Sequence, residues 1–178
     1  MWIFGYGSLM WGGWETKFQG TNQGKARLRG YHRAFNKKST RNWGTRDAPC
    51  PTLGLEKLNG AECVGLVFIF NDNQRQSIEA YLRDREGKSF QLVEIEVELE
   101  GGQKVMALTP INRLKTNTYI NRFQCTGHMV RKASGRDGSC FEYIQNIYMK
   151  CEELGIKDEY VQKMWEVINY DAPTPEEV

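Results

Sequence analysis

Val64-Gly-Leu-Val-Phe-Ile-Phe70 is a run of apolar, β-branched and aromatic residues interrupted only by a glycine near its start. A run of this length and composition is typical of a strand that is buried on both faces, so we expect it in the core. Three extended segments precede it, and we predict strands over residues 2–6, Lys25–Asn36 and Leu53–Leu58. The first part of the chain is therefore expected to be rich in strands.

A helix and a hairpin are predicted after the core strand. Asn71-Asp72 is typical of a helix cap, and apolar residues at helical spacing follow it until Gly87 ends the helix. Leu92–Leu99 alternates apolar residues with glutamates, which indicates a strand with one face in solvent. Gly101-Gly102 then predicts a turn into a further strand over Lys104–Thr109.

The last third of the chain has helical periodicity. Ser139 and Glu142 have the spacing of a capping box, and Asp158 is predicted to cap a second helix. Strands early and helices late, without a regular βαβ rhythm, favour an α+β fold or a small barrel flanked by helices. We expect one domain over residues 1–170 and a polar tail over residues 171–178.

Composition and length favour a globular, cytoplasmic protein. The 178 residues are 40% hydrophobic and carry a net charge of +2, and no apolar run is long enough for a membrane span or a signal peptide. The five cysteines are scattered without a Cys-x-x-Cys pair, so we expect them to be reduced. His32 and His128 lie far apart and away from any cysteine at ligand spacing, so no metal site is predicted.

Positive charge is concentrated between Lys25 and Arg46, where eight Lys or Arg residues occur without an acidic residue. Tyr31, Phe35 and Trp43 are interleaved with them. Because cations attract phosphates and aromatic rings stack on bases, one interpretation of this basic segment, residues 25–46, is a nucleic-acid-binding surface. A solvated basic face, or a rim that steers a small anion, has the same pattern.

Tyr6-Gly7-Ser8-Leu9 follows the first predicted strand and is a candidate ligand-binding turn. Glycines allow the backbone to approach a ligand closely, and Ser8 and the following amides can donate hydrogen bonds to a carboxylate or another anion. The segment lacks the Gly-x-Ser-x-Gly pattern of a nucleophile elbow and the third glycine of a dinucleotide-binding loop. Ser8 is therefore interpreted as a donor rather than a nucleophile.

Glu86 is the candidate acid or base, since it ends a predicted helix just before Gly87. Both the negative end of the helix dipole and burial disfavour an ionised carboxyl group, which suits proton transfer near neutrality. A surface ion pair within the string Arg83-Asp-Arg-Glu86 is the alternative interpretation.

Four segments together resemble the ChaC-like branch of the gamma-glutamylcyclotransferase superfamily. They are Phe4–Trp11, Arg29–Phe35, Tyr81–Glu86 and Glu142–Ile144, and the resemblance spans residues 2–170. It implies a small mixed β-barrel flanked by helices, in which the turn from Tyr6 to Leu9 holds a gamma-glutamyl group and Glu86 is the acid/base.

Further candidate substrate-binding residues lie outside that turn. Tyr143 is at the position of a family pocket tyrosine, with packing in a helix as the alternative interpretation. Ser39 and Arg41, in the basic segment, are candidates for the far carboxylate of the substrate, with a solvated loop as the alternative. Phe90 stands where the family often has a tyrosine, so another gamma-glutamyl compound is considered beside glutathione, the usual substrate of the branch.

The resemblance and the residues together predict a gamma-glutamylcyclotransferase that uses neither a metal nor an organic cofactor. The α-amine of the gamma-glutamyl group attacks its own side-chain carbonyl and releases 5-oxoproline from glutathione or a related small molecule. The alternative is a non-catalytic module of the same fold whose basic segment binds nucleic acid or another anion. No membrane partner is predicted, and the sequence does not specify an oligomeric state.

Overall fold

The computed structural model of the chain describes residues 1–87, 90–112 and 127–170. The chain divides into two compact units. The first contains Met1–Arg33 and Gly54–Asn117, and the second contains Ala34–Leu53 and Thr118–Val178. The predicted tail, residues 171–178, lies outside the described residues, and the predicted domain bounds stay a prediction.

Strands of the described residues close into a β-barrel in the order β1-β3-β2-β4-β5. They are β1 (Trp2–Gly5), β2 (Thr21–Ser39), β3 (Cys50–Ile69), β4 (Phe90–Leu99) and β5 (Lys104–Asn112). β1 pairs antiparallel with β3 and parallel with β5, and the pairing with β5 closes the barrel. The last residues of β2 and the first residues of β3 belong to the second unit. Together with the α-helices of the chain, this barrel confirms the predicted fold class.

The core strand predicted from Val64 to Phe70 is the C-terminal part of β3, and Leu66, Val67 and Phe68 are buried in succession, as expected for burial on both faces. The prediction of a separate strand over Leu53–Leu58 is wrong, because β3 continues through both segments. The side chains in its middle are exposed, so the sequence pattern ends there although the strand does not.

The helix predicted after the core strand is α1 (Arg75–Glu86), preceded by a short 3-10 helix that Asn71 caps by accepting a hydrogen bond from the Asn73 amide at 3.2 Å. Gly87 ends α1 as predicted, with a φ of 76° that favours glycine, and its amide donates to the Arg83 carbonyl at 3.0 Å. The predicted hairpin is also confirmed, since β4 and β5 pair along their whole length.

The second unit contains the helical part of the chain. Its elements are α2 (Gly127–Lys132), β6 (Ser134–Gly135), β7 (Gly138–Ser139), α3 (Cys140–Glu153) and α4 (Glu159–Tyr170). The predicted capping box is present at the start of α3, where Ser139 and Glu142 exchange hydrogen bonds. The Asp158 carboxylate caps α4 by accepting from two amides at 3.1 Å. No helix in the described ranges is both long and apolar enough to span a membrane.

Cys50 and Cys140 form a disulfide that joins the start of β3 to the first residue of α3, with their Cα atoms 5.3 Å apart. The expectation that all five cysteines are reduced is therefore wrong for Cys50 and Cys140. These two residues give no support to a cytoplasmic location, which was inferred in part from reduced cysteines. The two residues are 90 positions apart, so their spacing gave no local signal. Cys63 and Cys151 are buried and take no part in this bond, and Cys125 lies outside the described residues.

Reduction of the disulfide is expected to destabilise the protein. The chain-entropy model gives about 4.6 kcal/mol for closing a loop of this length, so the free energy of unfolding falls by about that amount when the bond is lost. Thermal unfolding of the wild type with and without a thiol reductant measures the effect.

A double variant, Cys50→Ser with Cys140→Ser, is the matched control for this measurement. It is expected to unfold at the temperature of the reduced wild type and to be insensitive to reductant. Equal midpoints of the wild type in both conditions, after mass spectrometry has established its redox state, contradict the prediction.

Candidate active site

The turn that follows β1 folds back onto the end of its own strand. Residues Ser8–Met10 form a 3-10 helix, and the Met10 amide donates to the Gly7 carbonyl at 2.9 Å. A Cβ atom at Gly5 would lie only 2.9 Å from the Cβ of Leu9, which is closer than real side chains approach each other. Glycine at position 5 is therefore what allows the turn to close so tightly.

Two buried aromatic side chains fix this turn. The Tyr6 hydroxyl donates to the Pro110 carbonyl at 2.7 Å, and the Trp14 indole donates to the Leu9 carbonyl at 2.9 Å. The Trp14 ring also stacks on Tyr81 of α1, with a centroid distance of 6.0 Å. Since the Tyr6 hydroxyl takes part in barrel packing, we expect this residue to contact a ligand through its backbone.

Arg33 places a positive charge against the turn inside the first unit. Only 1% of the residue is exposed, and its Nε donates to the Tyr6 carbonyl at 2.7 Å. Its Nη2 donates to the Val64 carbonyl and lies 3.6 Å from the Met10 sulfur. A cation fixed next to backbone amides favours the binding of an anion at the turn.

The last turn of α1 is linked to the same turn through Arg85. Its Nη2 donates to the Ser8 carbonyl at 2.9 Å, and its Nη1 donates to the Tyr81 hydroxyl at 3.1 Å. The Nε atom is 3.8 Å from Oε1 of Glu86, whose side chain is 15% exposed. The structure therefore brings the predicted turn and the predicted acid/base together, with Arg85 between them. Arg85 supplies a positive charge, and its hydrogen bond to Ser8 fixes the position of the turn relative to the end of α1.

The other predicted site residues belong to the second unit. The Tyr143 hydroxyl accepts a hydrogen bond from the Leu53 amide at 3.0 Å, and its ring centroid is 5.2 Å from that of Trp43. Ser39 is buried, and its hydroxyl accepts from the Trp43 amide at 3.1 Å. Arg41 is exposed, and its carbonyl accepts from an amide of the β6–β7 turn at 2.8 Å. Ser39 and Tyr143 are thus joined through Trp43, and a role for them in substrate binding stays a prediction.

Glu142, which precedes Tyr143, is held in the capping box. Its carboxylate accepts from the Ser139 amide at 2.7 Å and from the Ser139 hydroxyl at 2.8 Å. These hydrogen bonds, the backbone one first, lower the pKa of Glu142 below its usual range. A carboxyl group stabilised in its ionised form at a helix start is a poor general base near neutrality.

The first cations of the basic segment pair with acidic residues of the barrel. These pairs are Lys25–Glu100 at 3.2 Å, Arg27–Glu62 at 3.4 Å and Arg29–Glu98 at 3.0 Å. The Arg29 hydrogen bond is the main cause of a lowered pKa at Glu98. Phe35 is buried rather than displayed for base stacking. Three of the eight cations of the basic segment are therefore paired with glutamates within the first unit.

Sequence reasoning did not single out Arg33 and Arg85 as site residues. Arg33 lies in a run of cations and looks like the others, although the apolar Ala34 and Phe35 beside it are a sign of burial. Arg85 has a visible partner at helical spacing in Tyr81. Its contact with Ser8 joins residues 77 positions apart, which no local pattern could reveal.

Comparisons with known proteins find similar sequences and a similar fold. A family model described as "ChaC-like protein" matches residues 1–171. The chain is 25% identical to "Gamma-glutamylcyclotransferase 2-3" of Arabidopsis thaliana, over all of this chain and 93% of that protein. It is 27% identical to "Glutathione-specific gamma-glutamylcyclotransferase" of Escherichia coli strain K12, over 89% of this chain and 68% of that protein.

Among solved structures, the chain resembles a gamma-glutamyl cyclotransferase from yeast that is described as specific to glutathione. The TM-score is 0.82 at 18% sequence identity, with 96% of both chains covered. At this level of identity the likeness shows a shared fold, and it agrees with the closed barrel described above.

The Arg85 contact is expected to hold the turn in place. Arg85→Met keeps an unbranched side chain but removes the donor to the Ser8 carbonyl, and a hydrogen bond from a charged donor contributes about 1.5–3 kcal/mol. We expect the amides of Ser8, Leu9 and Met10 to exchange hydrogen at least about tenfold faster in this variant, as measured by NMR.

Arg83→Met is the matched control, because Arg83 lies on the same helix and pairs with Glu79 in an exposed ion pair. It should leave exchange in the turn unchanged. Equal exchange in the two variants means that Arg85 does not restrain the turn.

Proposed function

The chain belongs to the ChaC-like protein family, and from that membership we propose that it is a gamma-glutamylcyclotransferase that acts on glutathione. The names of the two relatives support the reaction, and the name of the Escherichia coli relative supports the substrate. One structural observation carries the proposal, namely the Arg85 hydrogen bond that joins the Ser8 turn to the helix end bearing Glu86.

The reaction needs one group that moves a proton and a surface that folds the substrate. The α-amine of the gamma-glutamyl group attacks the γ-carbonyl carbon, forming the ring C–N bond. The bond to the departing amine then breaks, giving 5-oxoproline and Cys-Gly. Glu86 takes a proton from the attacking amine and returns it to the departing nitrogen. No water is consumed, so the cleavage is of the lyase type.

The turn from Tyr6 to Leu9 supplies the folding surface in this proposal. Its backbone amides hold the substrate's α-carboxylate or the oxyanion that develops at the γ-carbon, and the buried charge of Arg33 adds a favourable field. Holding amine and carbonyl in contact lowers the entropic part of the barrier for ring closure. This chemistry uses a carboxyl group and hydrogen-bond donors, and it asks for neither a metal nor an organic cofactor.

The alternative of a nucleic-acid-binding module has less support. Lys25, Arg27 and Arg29 are paired with glutamates, and those pairs would have to be broken before the same cations could neutralise phosphates. A cytoplasmic location fits a glutathione-consuming enzyme and is part of the proposal.

The protein is expected to release 5-oxoproline from glutathione, and Glu86→Gln is expected to lower kcat by about 10²- to 10⁴-fold, because general acid–base catalysis contributes about that much. Chromatographic measurement of 5-oxoproline and Cys-Gly gives the rates. Glu79→Gln is the matched control, because Glu79 lies on the same helix and serves an ion pair with Arg75 and Arg83.

Two results contradict this proposal separately. If Glu86→Gln retains full activity, another group moves the proton. If the wild type releases no 5-oxoproline from glutathione or from other gamma-glutamyl amides, the enzyme proposal fails. Retention on a nucleic-acid column that falls steeply with salt then favours the alternative.

A further inference from the structure

Asn112, the last residue of β5, carries a buried amide group that the proposed reaction has not used. Only 2% of the residue is exposed. Within the described part of the chain, neither Nδ2 nor Oδ1 has a hydrogen-bond partner. Buried polar groups in native proteins nearly always have partners, because an unsatisfied one is costly. The NH2 group of this amide needs an acceptor and its oxygen needs a donor. The amide is therefore complementary to a ligand that carries one acceptor and one donor close together.

The strand register places Asn112 beside the turn. β1 and β5 run parallel, with Trp2 opposite Ala107 and Ile3 opposite Leu108. The same register, continued, brings Asn112 level with Gly7.

Two side-chain contacts show that the segments remain adjacent up to this point. The Thr109 hydroxyl donates to the Phe4 carbonyl at 2.9 Å, and the Tyr6 hydroxyl donates to the Pro110 carbonyl at 2.7 Å. Asn112 follows two residues after Pro110, just as Ser8 follows two residues after Tyr6.

A second pairing places Asn112 beside the end of α1. Asn112 is opposite Phe90, the first residue of β4. The Phe90 amide donates to the Gly87 carbonyl at 3.3 Å, and Gly87 directly follows Glu86. The buried amide thus belongs to the same end of the barrel as both the turn and the acid/base, and all of these residues are part of the first unit.

We propose that Asn112 binds the amino-acid head of the gamma-glutamyl group, and this inference rests on the proposed function. Nδ2 donates to the α-carboxylate and Oδ1 accepts from the α-amine. An amide is suited to this pair, because it offers a donor and an acceptor on one rigid plane. Holding both groups orients the amine nitrogen toward the γ-carbonyl and selects an unmodified L-configured head group.

Asn112→Leu tests the proposal, because leucine has the same number and branching of side-chain heavy atoms and no polar atom. We expect its thermal midpoint to equal or exceed that of the wild type, since a buried unsatisfied amide is removed. We expect kcat/KM for glutathione to fall by about 10- to 100-fold, chiefly through a higher KM, as a binding contact of this kind predicts.

Asn112→Asp keeps the shape of the side chain and replaces the donor by an anion. It is expected to lose at least as much affinity as Asn112→Leu, because its carboxylate repels that of the substrate. Thr109→Val is the matched control on the same strand, since it removes a hydroxyl that already has a partner. It should lower the thermal midpoint and leave kcat/KM within about twofold, the opposite pattern to Asn112→Leu.

Binding of 5-oxoproline, whose ring N–H and carboxylate present the same donor and acceptor, separates this inference from the proposed function. We expect 5-oxoproline to raise the thermal midpoint of the wild type and of Glu86→Gln, but not that of either Asn112 variant. If the wild type is active and both Asn112 variants match it within about twofold, the inference is wrong and the enzyme proposal stands. If the wild type is inactive, the enzyme proposal fails, and an absent 5-oxoproline shift in the wild type overturns the inference as well.

Discussion

The guanidinium group of Arg85 is the link on which the proposed site depends. Ser8 and Glu86 lie on a turn and on a helix end, and regular secondary structure does not fix the distance between them. The hydrogen bond from Arg85 to the Ser8 carbonyl, at 2.9 Å, supplies that restraint. Ring closure is sensitive to such restraints, because a small displacement of a base or an anchoring donor removes much of the advantage of a bound geometry.

Arg33 adds a second constraint, which is electrostatic. A guanidinium that is 1% exposed has given up its hydration, and the Tyr6 and Val64 carbonyls are among the groups that accept its hydrogen bonds. A buried arginine is not an efficient way to stabilise a core, because apolar side chains fill the same space without the free-energy cost of removing a charge from water. It fits a functional role better, because a fixed charge beside a turn of backbone amides stabilises an anion without reorganising during the reaction.

The fold was predictable where local chemistry decides it. The capping box at Ser139, the cap at Asp158 and the buried end of β3 all follow from short-range patterns, and all are present. The continuous β3 was not predictable, because strand pairing is a backbone property and its exposed middle carries no apolar pattern. The Cys50–Cys140 disulfide was missed for a related reason, since it depends on the tertiary placement of residues 90 positions apart.

The same distinction between local pattern and tertiary placement applies to the residues of the candidate site. Glu86 and the Tyr6 turn were predicted because a family resemblance was added to the local signs of glycines and a helix end, whereas Asn112 ends an apolar strand without any local sign of function. Its interest appears only when burial and hydrogen bonding are known together, since an exposed asparagine in the same sequence would need no explanation. A buried amide without hydrogen-bond partners lowers the stability of the free protein. A ligand that supplies the missing hydrogen bonds recovers this free energy when it binds, so ligands with the matching groups are favoured. Such a residue is visible in a structure and not in a sequence pattern.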